Sequence, residues 1–268
     1  MYKLVCKDSV EGILSGIYEA WSGGYPRHEV SLWSGEIQNY ELFTEYVVIE
    51  ENEEYANKVK RTILRLFGME TLEAVYYAIW SDREDKADAV YHMVLCGIEQ
   101  HIGKNLHMHL ADPYIQRVFE LTRMVSNEAH HYLGFLRFSE LEQGILYAEI
   151  EPKHYVIEQL AEHFTDRLPA ENWMIYDRRR QLAAIHQCQK GWLLFRKTVA
   201  LEEQSTEVTH KEAYYRKLWK SFCGHISVTE RENPCLQRQN LPLHFRKYMA
   251  EFEQSCKDRN RGEYEFRK

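Results

Sequence analysis

Glu128, His130, His131 and Arg137 fall within ten residues of one another. Imidazole titrates near neutrality, a carboxylate can take or give a proton, and a guanidinium grips phosphate oxygens in a planar fork. Glu128, His130 and Arg137 could therefore form an acid/base pair beside a phosphate clamp, the equipment of a nucleic-acid hydrolase or glycosylase. The same histidine pair also fits a structural role, tying a helix end to a sheet by hydrogen bonds. A second cluster is Asp177-Arg178-Arg179-Arg180. Three adjacent guanidinium groups fit phosphate oxygens, so Arg178, Arg179 and Arg180 are the leading candidates for contact with nucleic acid or an acidic partner. Lys153, His154 and Arg167 are expected to add to the same face. The competing reading is a solvated turn held by an Asp177–Arg180 ion pair.

Other spacings carry less. His107-Met108-His109, with His101 nearby, would put two imidazoles on one side of a strand, but only Asp112 could extend the set. A surface loop is expected there, with no metal and no cofactor. Asp112-Pro113-Tyr114 matches a triplet of uracil-DNA glycosylases, yet the preceding glycine and the partner segment are missing. Asp112 as a helix cap and Pro113 in the first turn account for it. The six cysteines never fall as CxxC, which speaks against structural zinc and a cysteine-bound cluster and fits reduced thiols in a cytoplasm. Phosphate-loop, dinucleotide-binding and nucleophile-elbow motifs are absent. Most of the six tryptophans sit on apolar helix or strand faces, where core packing is the default. Trp33 falls in a loop-like stretch.

The elements that must position these groups follow from periodicity. Residues 2–6 read as a strand. A helix follows, with Asp8 as cap and Glu11 completing a capping box, and Gly23-Gly24 ends it. Residues 42–49 read as a strand. Helices are predicted over 52–67, 70–81, 83–102 and from Asp112 onward. At Gly134 the pattern changes to strands at 135–138 and 145–150, a helix opened by Pro152, and strands at 173–176, 181–186 and 192–195. This ββαβββ order predicts a mostly antiparallel sheet with a helix on one face. A last helix is predicted from about Glu207 to Phe222, before a charged tail. The fold class is thus α+β: a helical N-terminal half packed with an antiparallel-rich sheet in the C-terminal half.

The 268 residues carry a net charge of −7. A protein that clamps duplex DNA by itself usually has a basic excess, so any DNA contact must come from a local patch or a second protein. No segment reads as a signal peptide or a membrane span, and a cytoplasmic location is expected.

Residues 128–180 carry a family resemblance. Glu128, His130, Phe135, Arg137 and Phe138 match one segment of the DUF4130 family. Glu151-Pro152, His154, His163-Phe164 and Arg167 match the next, and Trp173, Ile175, Asp177 and Arg180 the one after. The opening DSVEGILSGIYEAW and the closing Trp219, Arg231, Asn233, Gln237 and Pro242 are similar as well. One departure is His131, where the family pattern has arginine. The resemblance makes His130 the stronger functional histidine. It implies one DUF4130-like domain over residues 1–268. Within it, residues 1–133 are helix-rich, residues 134–200 contain the sheet, and residues 201–268 form a C-terminal helix and tail. It also implies a role in DNA metabolism or DNA repair beside a radical SAM protein. This chain lacks the closely spaced cysteines of a radical SAM cluster, so radical chemistry would belong to the partner.

Three functions stay open on the sequence. One is an accessory protein that contacts nucleic acid and works with a radical SAM partner. The second is a hydrolase or glycosylase built on His130, Glu128 and Arg137. The third is a protein-interaction module without DNA contact. Whether the chain is an enzyme is not fixed by these residues.

Overall fold

A computed structural model describes residues 1–37, 39–196, 208–228 and 231–252. Glu207, the expected start of the last helix, and Cys256 with the charged tail after Phe252 lie outside the described residues. The chain divides into two compact units. The first holds Met1–Glu128 and Lys153–Tyr155, the second Ala129–Pro152 and the residues from Val156 onward.

The first unit opens with β1 (Tyr2–Cys6), α1 (Val10–Ser22), β2 (Val30–Ser34) and β3 (Glu45–Val48). β1 lies between β2 and β3 and runs parallel to both. The sequence pattern does not predict β2. All but Trp33 of its Val-Ser-Leu-Trp-Ser run is buried, so no polar alternation marks it as a strand. Trp33 is half-buried within it, and its indole N–H donates to the Glu36 carbonyl.

The cap of α1 also differs from expectation. Ser9 accepts the Gly12 N–H at 2.9 Å, while Asp8 pairs with the buried Lys86 ammonium at 2.6 Å and Glu11 with Lys60 at 3.1 Å. A hydroxyl one residue closer took the cap, and both carboxylates found lysines.

Helices α2 (Glu53–Phe67), α3 (Met69–Ile79), α4 (Lys86–Glu99) and α5 (Pro113–Phe135) follow. Asn52 caps α2. Gly68 joins α2 to α3 at φ 90°, ψ 175°, backbone that side-chain-bearing residues avoid. Asp112 caps α5 through the Tyr114 and Ile115 N–H groups, and its other oxygen accepts from the Cys96 thiol. Burial, and then this carboxylate, push that thiol up to about 11. Leu4, Ile13, Leu14, Leu32, Ile63 and Met93 are among the side chains of the core.

α5 passes from the first unit to the second after Glu128. The second unit adds β4 (Ser139–Glu140), β5 (Leu146–Ile150), α6 (Ile157–Arg167), β6 (Trp173–Asp177), β7 (Leu182–His186) and β8 (Trp192–Arg196). The sheet order is β4-β5-β6-β7-β8. Only β5 and β6 are parallel, joined across α6, so the mostly antiparallel ββαβββ arrangement is present.

Two boundaries differ from the periodicity. The helix continues to Phe135, and the first strand is Ser139–Glu140 rather than 135–138. α6 starts at Ile157 rather than at Pro152, because the backbone N–H groups of Lys153, His154 and Tyr155 are bound elsewhere, to Glu128 and to the Trp80 carbonyl. The chain then forms α7 (His210–Ile226), α8 (Pro234–Asn240), α9 (Leu243–Arg246) and a short turn over Ala250–Phe252. No helix among the described residues is long and apolar enough to cross a membrane.

Candidate nucleic-acid interface

Glu128 is buried, and its two oxygens accept the N–H groups of Lys153 and His154 at 2.9 and 2.7 Å. Both acceptor atoms are thus engaged in fixing a backbone turn. His130 lies two positions on along the same helix, which rotates it to another side, and it is exposed. Arg137 closes α5 by donating to the Gly134 and Leu136 carbonyls and pairs with Glu251 at 3.1 Å.

In the other candidate cluster, Asp177 has no exposed surface. One of its oxygens accepts the Arg179 and Arg180 N–H groups, and the other meets the Arg180 guanidinium at 3.1 Å. Burial pushes the Asp177 carboxyl up, against the pull of Arg180. Arg180 also donates to the Pro152 carbonyl, so it serves the turn. Arg178 is exposed but sits 3.3 Å from Glu149, whose negative charge is the largest cause holding its guanidinium above the ordinary arginine value. Arg179 and Arg167 are exposed, Arg167 in the last turn of α6. Lys153 and His154 belong to the first unit. His154 is buried, and its Nδ1 accepts the Asp82 N–H. His107 is held by the Thr71 hydroxyl in a short helical turn rather than a strand.

A third arrangement emerges around α7. Thr209 caps this helix through the Glu212 N–H, and its own N–H donates to the Glu140 carbonyl, which ties the helix start to β4. α7 buries none of its residues. Tyr214, Tyr215, Leu218, Trp219, Phe222 and Ile226 are between 44% and 59% exposed. The Trp219 and Phe222 rings are stacked 5.8 Å apart. Lys211, Arg216, Lys217 and Lys220 interleave with them, against the single acid Glu212. In a chain of net charge −7 this is a locally cationic, aromatic surface.

Beside it lies a cavity of about 380 Å³, lined by Arg137, Tyr215, Arg216, Trp219, Tyr248 and Glu251 among others. Arg216 pairs with Glu212 at 2.9 Å and donates to the Ser139 hydroxyl. Glu251 gives one oxygen to Arg137, and its other oxygen is buried without a hydrogen-bond partner among the described residues. The cavity size is that of a small-ligand site. Of the residues singled out in the sequence as catalytic, only Arg137 lines it.

A family model for DUF4130, a domain of unknown function, matches residues 84–251. The chain belongs to the DUF4130 family. Every residue that lines the α7 cavity falls inside the matched stretch. No curated protein matches the chain. One solved chain, titled as a member of the s1p family of ribosomal proteins with a DHH domain, covers 69% of this chain and 73% of its own length. At 10% identity and a TM-score of 0.31, that likeness implies neither a shared fold nor a shared activity.

Arg216, Tyr215 and Glu251 were not singled out by sequence reasoning. The available signal was the alternation of lysine and arginine with tyrosine, tryptophan and phenylalanine over His210–Ile226, on a predicted helix with no clean polar side.

Proposed function

We propose that this DUF4130 protein is an accessory protein of DNA metabolism that contacts nucleic acid through α7. The observation that carries this reading is the unburied surface of that helix, on which Tyr214, Tyr215, Trp219 and Phe222 stand among Lys211, Arg216, Lys217 and Lys220. Bases stack on aromatic faces and phosphates follow cations, and every base offers a ring face when unpaired. A single strand fits this surface better than a duplex, because the stacking faces of paired bases are covered.

The Arg178–Arg180 turn has a smaller role in this reading. Arg180 and Asp177 neutralise each other, and Arg178 faces Glu149. A radical SAM protein is the proposed partner, on the strength of the family resemblance, and it would supply the chemistry. Catalysis by Glu128 gains no support, since both its oxygens already hold backbone N–H groups.

The test is fluorescence anisotropy with a labelled single-stranded oligonucleotide and the matching duplex, in rising salt, with the chain alone and with the radical SAM protein. The expected result is salt-sensitive binding of the single strand, weakened about tenfold or more by Trp219→Ala. An absence of binding in both arrangements, or binding indifferent to Trp219, would sink the reading.

A further inference from the structure

The cavity beside α7 has more chemical definition than strand binding alone requires. Its two arginines are each matched by a carboxylate, Arg137 by Glu251 and Arg216 by Glu212. The lining is therefore close to neutral and offers no surplus cation to a free phosphate. Tyr215, Trp219 and Tyr248 give it aromatic surface, which favours a flat ring. Its unmatched atom is an acceptor. The second oxygen of Glu251 is buried and has no donor among the described residues, although buried polar atoms are nearly always paired. Glu251 lines the cavity, and the last torsion of a glutamate side chain is broad, so rotation about it can present this oxygen to a ligand there.

We infer that the cavity receives one unpaired nucleobase bearing an exocyclic amino group, with Glu251 accepting its N–H. A ligand that fits must be flat, uncharged at the inserted end and able to donate a hydrogen bond. Cytosine and adenine present an amino group on the pairing edge; thymine presents carbonyl oxygens there, with one ring N–H between them. A carboxylate accepts from the cytosine amino group and repels carbonyl oxygens. The phosphates on either side of the inserted base would remain with the lysines of α7. This inference rests on the nucleic-acid reading and adds base selection to it.

The test compares short homopolymers of deoxycytidine, deoxyadenosine and thymidine on the full chain at one salt concentration. The amino-bearing strands are expected to bind at least about fivefold more tightly than the thymidine strand, the effect of one hydrogen bond to a charged acceptor. Glu251→Gln, whose amide can turn a donor to the ligand, should erase that preference. Equal affinity for all three strands in the native chain overturns base selection and leaves the α7 reading standing. A preference that survives in Glu251→Gln removes Glu251 from the role. Binding of none of the strands overturns both. The native comparison needs no variant, so a poorly folding Glu251→Gln does not shelter the inference.

Discussion

Glu128 shows how a residue chosen for chemistry can be explained by architecture. A buried carboxylate that accepts two backbone N–H groups holds the Lys153–His154 turn in place. Glu128→Ala leaves both donors without their acceptor, and the expected loss of stability is about 2–4 kcal/mol, read from the denaturant midpoint. A wild-type midpoint would show that the turn does not depend on this carboxylate. Titration gives a second handle. Hydrogen bonds from Lys247 and then Tyr248 hold Glu151 below the ordinary glutamate value. The fold therefore favours its ionised form. That contribution is present above the ordinary glutamate range and is lost as pH falls through the lowered value. In an NMR titration, Lys247→Ala should move the Glu151 midpoint upward; an unmoved midpoint would refute the assignment. Asp177 has the opposite sign. Burial raises it, so its contribution is full below the ordinary aspartate range and fades as pH rises through the raised value.

Among the elements, the α2–α3 junction makes the sharpest demand on sequence. Gly68 stands at φ 90°, ψ 175°, and a Cβ added there would meet nothing within 4 Å. Gly68→Ala should therefore destabilise by about 1–3 kcal/mol through backbone strain alone, measurable by urea unfolding. A neutral substitution would mean that the junction relaxes. This helix pair was legible in the sequence, since the apolar period stops at the glycine and resumes after it. The ββαβββ order was legible because short apolar runs of strand length are broken by turn residues such as Glu142-Gln143-Gly144. β2 was hidden because a parallel strand between buried layers shows no alternation. The start of α6 was hidden because the groups that hold Lys153–Tyr155 lie far away in sequence, at Glu128 and Trp80. Pairings of that kind leave no local pattern to read.

At the scale of the whole molecule, charge is the quantity that must be reconciled with a nucleic-acid role. A net charge of −7 opposes approach to a polyanion, and several of the cations seen in the sequence are matched by carboxylates in the fold. Such matching was not legible, because Arg137 meets Glu251 across 114 positions and Arg178 meets Glu149 across 29. On α7 the balance differs: Lys211, Lys217 and Lys220 share one helix with a single acid, Glu212, which pairs with Arg216. If these lysines are the groups that meet phosphate, binding neutralises about three phosphates, and log K should fall against log salt with a slope of about −2 for a single strand. Charge reversal at Lys217 and Lys220 together should reduce that slope by about 1 to 1.5 and weaken every sequence alike. Trp219→Ala should weaken binding while leaving the slope where it was, since stacking releases no counterions. If instead the slope fell in Trp219→Ala and held in the lysine variant, the division of labour on α7 would be wrong, and the phosphate contacts would have to be sought on another surface.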